Sequence, residues 1–252
     1  MPLNHLRLLP AVALLTLAAA CSGGAPEPAA PPADAKRVDA STAGTVAGRV
    51  VLEGPVPENP LIRMTGDPYC GRAHPEGSRL ESFVVDNGGL ENVFVYVKDG
   101  LAGYYFDVPA APATLDQAGC QYVPHVSGLR VKQPLLISNS DETLHTVHAM
   151  GQVNPAFNVS QPMKKITHTK SFAAPEVMVP FKCEVHNWML AYVGVLDHPY
   201  FAVTRDGGKF ELAGLPAGTY TVEAWHEKLG TQSQSITLGE KESKALTFTF
   251  KQ

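Results

Sequence analysis

Residues 183–189 read CEVHNWM. A thiol, an imidazole and a thioether fall within seven residues, each separated from the next by two others. A soft thiolate with one imidazole and one thioether suits copper better than zinc, magnesium or calcium. An electron-transfer copper site with such ligands takes two His and one Cys in a near-trigonal plane, with a weakly bound axial Met. Cys183, His186 and Met189 supply three of the four ligands, so the second His must come from elsewhere. The competing reading is a chance grouping of side chains around a structural loop.

Upstream, residues 122–149 read YVPHVSGLRVKQPLLISNSDETLHTVHA. LRVKQPLLISNS alternates as a half-buried strand does, SDE is a polar turn, and His145 follows. From about residue 117 to 197 the chain resembles the cupredoxins, amicyanin-like and plastocyanin-like members most closely. NSDETLH matches the Asn-led loop that delivers their first His, C-x2-H-x2-M matches the loop between their last two strands, and PMKKITHTKSF resembles the segment before it. The resemblance implies a Greek-key β-sandwich holding one type 1 copper through His145, Cys183 and His186, with Met189 axial. It also implies that the His186 ring lies near the surface as the electron's exit, and that Trp188 and Leu190 shield the metal from water. Thr146 stands where the family has an Asn that pins the two ligand loops together. His148 points away from His145 on a strand beginning there, which makes it structural. Met150, Met163, His168 and His198 have no partners at telling spacings and are read as surface or core residues.

The chain opens with MPLNHLR, an apolar run LLPAVALLTLAAA, and then Cys21. This is the layout of an export signal. LTLAAAC resembles a bacterial lipoprotein signal, in which the Cys is acylated, although Ala18 occupies the usual Leu position. A secreted protein with Cys21 removed or unmodified is the alternative. Residues 1–20 are read as signal and 21–44, rich in Pro, Ala and Gly, as a flexible tether. The protein is therefore expected in the periplasm or at the cell surface, held to a membrane by lipid; Ser22 does not resemble an inner-membrane retention signal. Loss of residues 1–20 removes Arg7 alone among the charges, leaving 19 basic against 24 acidic residues. That mild negative balance argues against nucleic acid. Of the four cysteines, Cys70 and Cys120 remain unassigned. In an oxidising compartment they form a disulfide, closing a loop of about fifty residues that the chain-entropy model values at roughly 4 kcal/mol. Alternatively they join His74 and His125 around a second metal.

The C-terminal part, FAVTRDGGKFELAGLPAGTYTVEAWHEKLGTQSQSITL followed by KALTFTFKQ, reads as strands and turns. Tyr220, Val222 and Ala224 share one face, as do Leu246, Phe248 and Phe250. DGGKFEL and LPAGTY resemble the carboxypeptidase regulatory-like, transthyretin-like β-sandwich, whose opening strand matches TVAGRVVL at Thr45–Leu52. NVFVYVKDG at 92–100 is a further strand. The expectation is an all-β protein in which a cupredoxin domain, 111–197, is inserted into a discontinuous sandwich of 45–110 and 198–252. Separate β units in series are the alternative. Trp225 and His226 are read as an exposed strand end, or as a contact with the copper domain.

A dinuclear copper centre needs two Cys in its loop, and oxidases or nitrite reductases need further His ligands for a catalytic copper. No Gly-rich phosphate loop, Ser–His–Asp set or HExxH is present. The favoured function is thus electron transfer between an unidentified redox donor and acceptor, without enzymatic activity. Copper delivery is the runner-up, and a purely structural lipoprotein the third reading.

Overall fold

The computed structural model describes Met1 and residues 33–252; the signal, Cys21 and most of the tether lie outside the described residues. The described chain is all-β apart from one six-residue helix. Period-2 burial explains the strands directly. In Ser243–Lys251, Leu246, Phe248 and Phe250 are buried while Ala245, Thr247 and Thr249 are exposed, the signature of a sheet with one face to the core and one to water.

Two sheets are built from the ends of this region. In one, Gly44–Glu53 lies between Lys209–Leu215, antiparallel, and Ser243–Lys251, parallel from Thr45↔Ser243 to Glu53↔Lys251. In the other, Phe94–Asp99 lies between Phe201–Val203 and Gly218–His226, and Gly230–Leu238 forms the edge. Val46, Val50, Val95, Tyr220, Val222 and Phe248 lie in the core they share.

The strands from Ala113 to Leu196 pair only among themselves. Thr167–Lys170, Leu135–Asn139, Ala113–Ala118 and Gln121–Val123 form one sheet. Phe157–Gln161, His145–Ala149, Glu176–Lys182, Leu190–Leu196 and Val126–Arg130 form the other. Leu115, Ile137, Val147, Phe181 and Val193 fill the space between them, and Cys183 and Met189 belong to the same cluster.

Phe94–Asp99 is buried on both faces at its start. Val95 and Val97 face the first core, whereas Phe94 and Tyr96 enter a separate cluster with Val126, Met178 and Leu196. Phe94 reaches the five-stranded sheet that contains Val126–Arg130 and Leu190–Leu196, where Gly128 and Gly194 sit opposite each other on parallel strands. A Cβ on Gly194 would lie 2.3 Å from the Phe94 ring, and one on Gly128 would lie 2.5 Å from the Phe201 ring. Only glycine leaves room for this approach. Trp225 packs on Tyr192 across the same seam, with ring centroids 5.0 Å apart. His226 is buried against Phe83 and Phe250. The reading of this pair as an exposed strand end is therefore corrected: the strand's end is covered.

One further unit matters to the site. Leu61–Ile62 pairs with Ser78–Arg79, and between them runs the helix Pro68–Ala73. Asp67 caps it by accepting from the Tyr69 and Cys70 amides, at 2.7 and 3.0 Å, and Pro68 occupies the first helical position. Both are favoured there, since the first turn's N–H groups have no partner within the helix.

Candidate metal centre

The loop 183–189 is clamped at both ends, because Glu176–Lys182 and Leu190–Leu196 pair up to Lys182↔Leu190. Within it the Cys183 amide donates to the Met189 carbonyl at 3.2 Å, and the Met189 amide to the His186 carbonyl at 2.9 Å. His145 opens the neighbouring strand, which pairs with the first arm of the loop at His148↔Lys182. The two ligand segments are thus fixed by sheet geometry. His145, Cys183, His186 and Met189 are all buried, with at most 2 % exposure.

The ligand atoms of His145, Cys183 and His186 lie within 4.8 Å of one another. The two Nδ1 atoms are 2.9 Å apart, and Cys183 Sγ is 3.8 Å from His186 Nδ1. Met189 packs in the same core cluster as Cys183. The outer nitrogen of each ring meets a carboxylate: His145 Nε2 lies 3.0 Å from Asp141 Oδ2, and His186 Nε2 lies 3.3 Å from Asp67 Oδ2. A carboxylate accepts, so each Nε2 carries the proton and each Nδ1 turns a lone pair inward. Two lone pairs facing each other beside a sulfur require a cation between them, either a proton or a metal ion. The donor set fits copper: two imidazoles, one thiolate and a thioether.

The electrostatics agree. Burial pushes the Cys183 thiol up, but bonds from His145, His186 and the Thr146 and His186 amides outweigh it, and the pKa is lowered. Burial likewise opposes protonation of His145, yet Asp141 and the Cys183 thiolate raise its pKa well above the ordinary imidazole value. The protein thus holds its sulfur as a thiolate, the form that binds metal. Thr146 contributes twice. Its amide lies 3.4 Å and its hydroxyl 3.6 Å from Cys183 Sγ, and the hydroxyl also accepts from the Glu184 amide at 2.7 Å. The threonine itself ties the two ligand loops together.

One expectation is overturned. The His186 ring is 2 % exposed rather than at the surface. The helix Pro68–Ala73 covers it, with Cys70 Sγ 3.9 Å from Nε2, while Trp188 stacks obliquely at a centroid distance of 5.0 Å. Cys70 and Cys120 form a disulfide, which fastens this cover to the Ala113–Val123 hairpin. The second-metal reading of these cysteines fails. His74 Nε2 bonds the Gly119 carbonyl at 2.8 Å, and His125 spans the Leu190 carbonyl and Glu227 Oε1, at 3.0 and 2.6 Å. Trp188, half-buried, donates its indole N–H to the Cys120 carbonyl at 3.0 Å; Leu190 is half-buried beside it.

His148 faces outward as its register requires and pairs with Glu184 at 2.5 Å. Met163 is exposed, Met150 and His168 are half-buried, and His198 is buried; neither histidine belongs to the cluster of ligand atoms. Asp67 and Asp141 were missed by sequence reasoning. The signals were there: Asp67-Pro68 is a helix-start pair, and Asp141 lies in the turn that delivers His145.

No protein-family model matches the chain, and no curated protein matches it. Solved structures do. A methionine-to-alanine variant of amicyanin, in its Cu(I) form, is 20 % identical over 35 % of this chain and 86 % of its own, with a TM-score of 0.30. A purple cupredoxin from Nitrosopumilus maritimus is 16 % identical over 33 % of this chain and 98 % of its own, with a TM-score of 0.29. A copper-containing nitrite reductase from Thermus scotoductus is 13 % identical over 60 % of this chain but 28 % of its own, with a TM-score of 0.33. Likeness this distant carries no chemistry to the present chain, whose site is argued from its own residues.

Proposed function

We propose that the protein is a cupredoxin-like electron carrier that binds one copper through His145, Cys183 and His186, with Met189 axial. The observation that carries this reading is the convergence of two inward-facing Nδ1 atoms and a stabilised thiolate in a dry core. Bound copper would supply a one-electron couple. The protein's own contribution is to hold the ligands before the metal arrives: the clamped loop fixes Cys183 and His186, the adjacent strand fixes His145, and Thr146 links the two. Fixed ligands resist the different geometries that Cu(I) and Cu(II) prefer, which lowers the reorganisation that electron transfer requires. Burial of all four counts against the alternative of copper delivery, since delivery calls for ligands that open to a recipient.

We further read the chain as a carrier rather than an enzyme, serving a redox donor and a redox acceptor. The Cys70–Cys120 disulfide fits an oxidising compartment. This supports export to the periplasm or cell surface, while the lipid anchor at Cys21 rests on the sequence alone. The test is visible absorption of the soluble domain after addition of Cu(II), then ascorbate. We expect an intense thiolate-to-copper band that ascorbate bleaches, absent from Cys183→Ser. A colourless wild type would overturn the proposal, and a coloured Cys183→Ser variant would overturn the ligand assignment.

A further inference from the structure

The carboxylates behind the two imidazoles are built in with unusual completeness. Asp67 accepts from the Tyr69 and Cys70 amides, from Thr143 Oγ1 at 2.7 Å, and from His186. Asp141 accepts from the Gly119 and Cys120 amides, both at 2.8 Å, from the Tyr69 hydroxyl at 3.2 Å, and from His145. Each carboxylate is therefore held by the backbone amide of one half of the disulfide. Tyr69, next to Cys70, touches both: its amide bonds Asp67 and its hydroxyl bonds Asp141. Asp141 is buried, with 3 % side-chain exposure, and Asp67 is half-buried, with 17 %.

We propose that Asp67 and Asp141 are positioning residues of the copper site, held as a pair by the Cys70–Cys120 bridge, and that they set its reduction potential low. The inference rests on the copper reading above. A carboxylate accepting Nε2–H fixes the tautomer, orients the ring and makes Nδ1 a stronger donor. A stronger donor, with negative charge nearby in a poorly screened interior, favours the more highly charged metal, Cu(II). Both effects act in the same direction. Both Asp67 oxygens have donors within the fold: Oδ1 accepts from the Tyr69 and Cys70 amides, and Oδ2 from Thr143 Oγ1 and His186 Nε2. The same enclosure removes the His186 ring from solvent, so the ring itself does not form the surface that a redox partner touches.

The test uses Asp67→Asn and Asp141→Asn in the copper-loaded protein. Asn remains a good helix cap, so Asp67→Asn removes charge while leaving the helix start intact. The expected result is retention of the thiolate-to-copper band with an upward shift in potential for each variant. Removing the bridge in Cys70→Ala/Cys120→Ala should also raise the potential, because the segments that present the two anchoring amides are then no longer tied together. A purely structural role would alter thermal stability and leave the potential of folded, coloured protein unchanged, and that result would overturn the inference. If a variant fails to fold, nitrogen NMR of wild-type Cu(I) protein decides independently. Slowly exchanging Nε2–H signals from both His145 and His186 are expected, and rapid exchange at His186 would overturn it. A colourless wild type instead defeats the copper reading itself, so the two failures are distinguishable.

Discussion

Three donors converge on the sulfur of Cys183. The Thr146 amide, the Thr146 hydroxyl and the His186 amide all lie within hydrogen-bonding reach of its sulfur. Each stabilises the thiolate and withdraws charge from it, so the sulfur is tuned as well as held. Met189 acts from the other direction. In Met189→Gln an oxygen donor favours Cu(II), so copper binding should persist while the potential falls. Voltammetry checks this, and an unchanged potential would show that Met189 is not axial. The spacing C-x2-H-x2-M made three candidate ligands legible because a single loop carries them. Asp67 was not legible beside them. It lies far away in sequence, its type is common, and only the folded hairpin 61–79 brings it to His186. For the same reason the burial of His186 could not be read: the cover belongs to a segment outside the stretch that resembles the cupredoxins.

At the scale of elements, the seam between the two pairs of sheets depends on Phe94 meeting Gly128 and Gly194. Gly194→Val should force the buried Phe94 ring out of its place and cost about 1–3 kcal/mol, measured as a lowered denaturation midpoint with the visible band retained. A stability equal to wild type would show that the seam can yield there. The strands themselves were legible, since alternation at Leu246, Phe248 and Phe250 or at Tyr220, Val222 and Ala224 is a direct consequence of one-sided burial. NVFVYVKDG also read as a strand, but alternation cannot tell one core from two, and Phe94 and Val95 face different ones. The helix Pro68–Ala73 escaped because six residues give no helical period. Its capping pair was the remaining signal.

Across the whole molecule, acid should loosen the fold. Burial holds His198 and His226 neutral, with pKa values lowered to about 4 from 6.5. Burial pushes Glu227 up, but His125 and Lys228 bring it down to about 2 from 4.5. In each case the unfolded chain takes up a proton at a higher pH than the folded one. The stability these three groups contribute is therefore full above about pH 6.5, falls towards pH 4 through the histidines, and falls further between about 4.5 and 2 through Glu227. Each group contributes on the order of 2 kcal/mol. Tm measured from pH 7 to pH 4 on metal-free protein checks this, and His226→Asn should flatten the upper part of the curve. A flat wild-type profile would contradict it. The all-β class was legible at this scale from short alternating segments and turn residues. The pairing of Gly44–Glu53 with Ser243–Lys251 was expected only through resemblance, because no local pattern records a partner some two hundred residues away. That pairing has a consequence for biosynthesis. The strands between Ala113 and Leu196 find their partners among themselves and can close as soon as they are made. Gly44–Glu53 can pair with Lys209–Leu215 on one edge, but its other edge stays open until Ser243–Lys251 has been made. A chain stalled before Ser243 would thus carry a finished inner sandwich beside an open β edge, the state most exposed to aggregation and proteolysis.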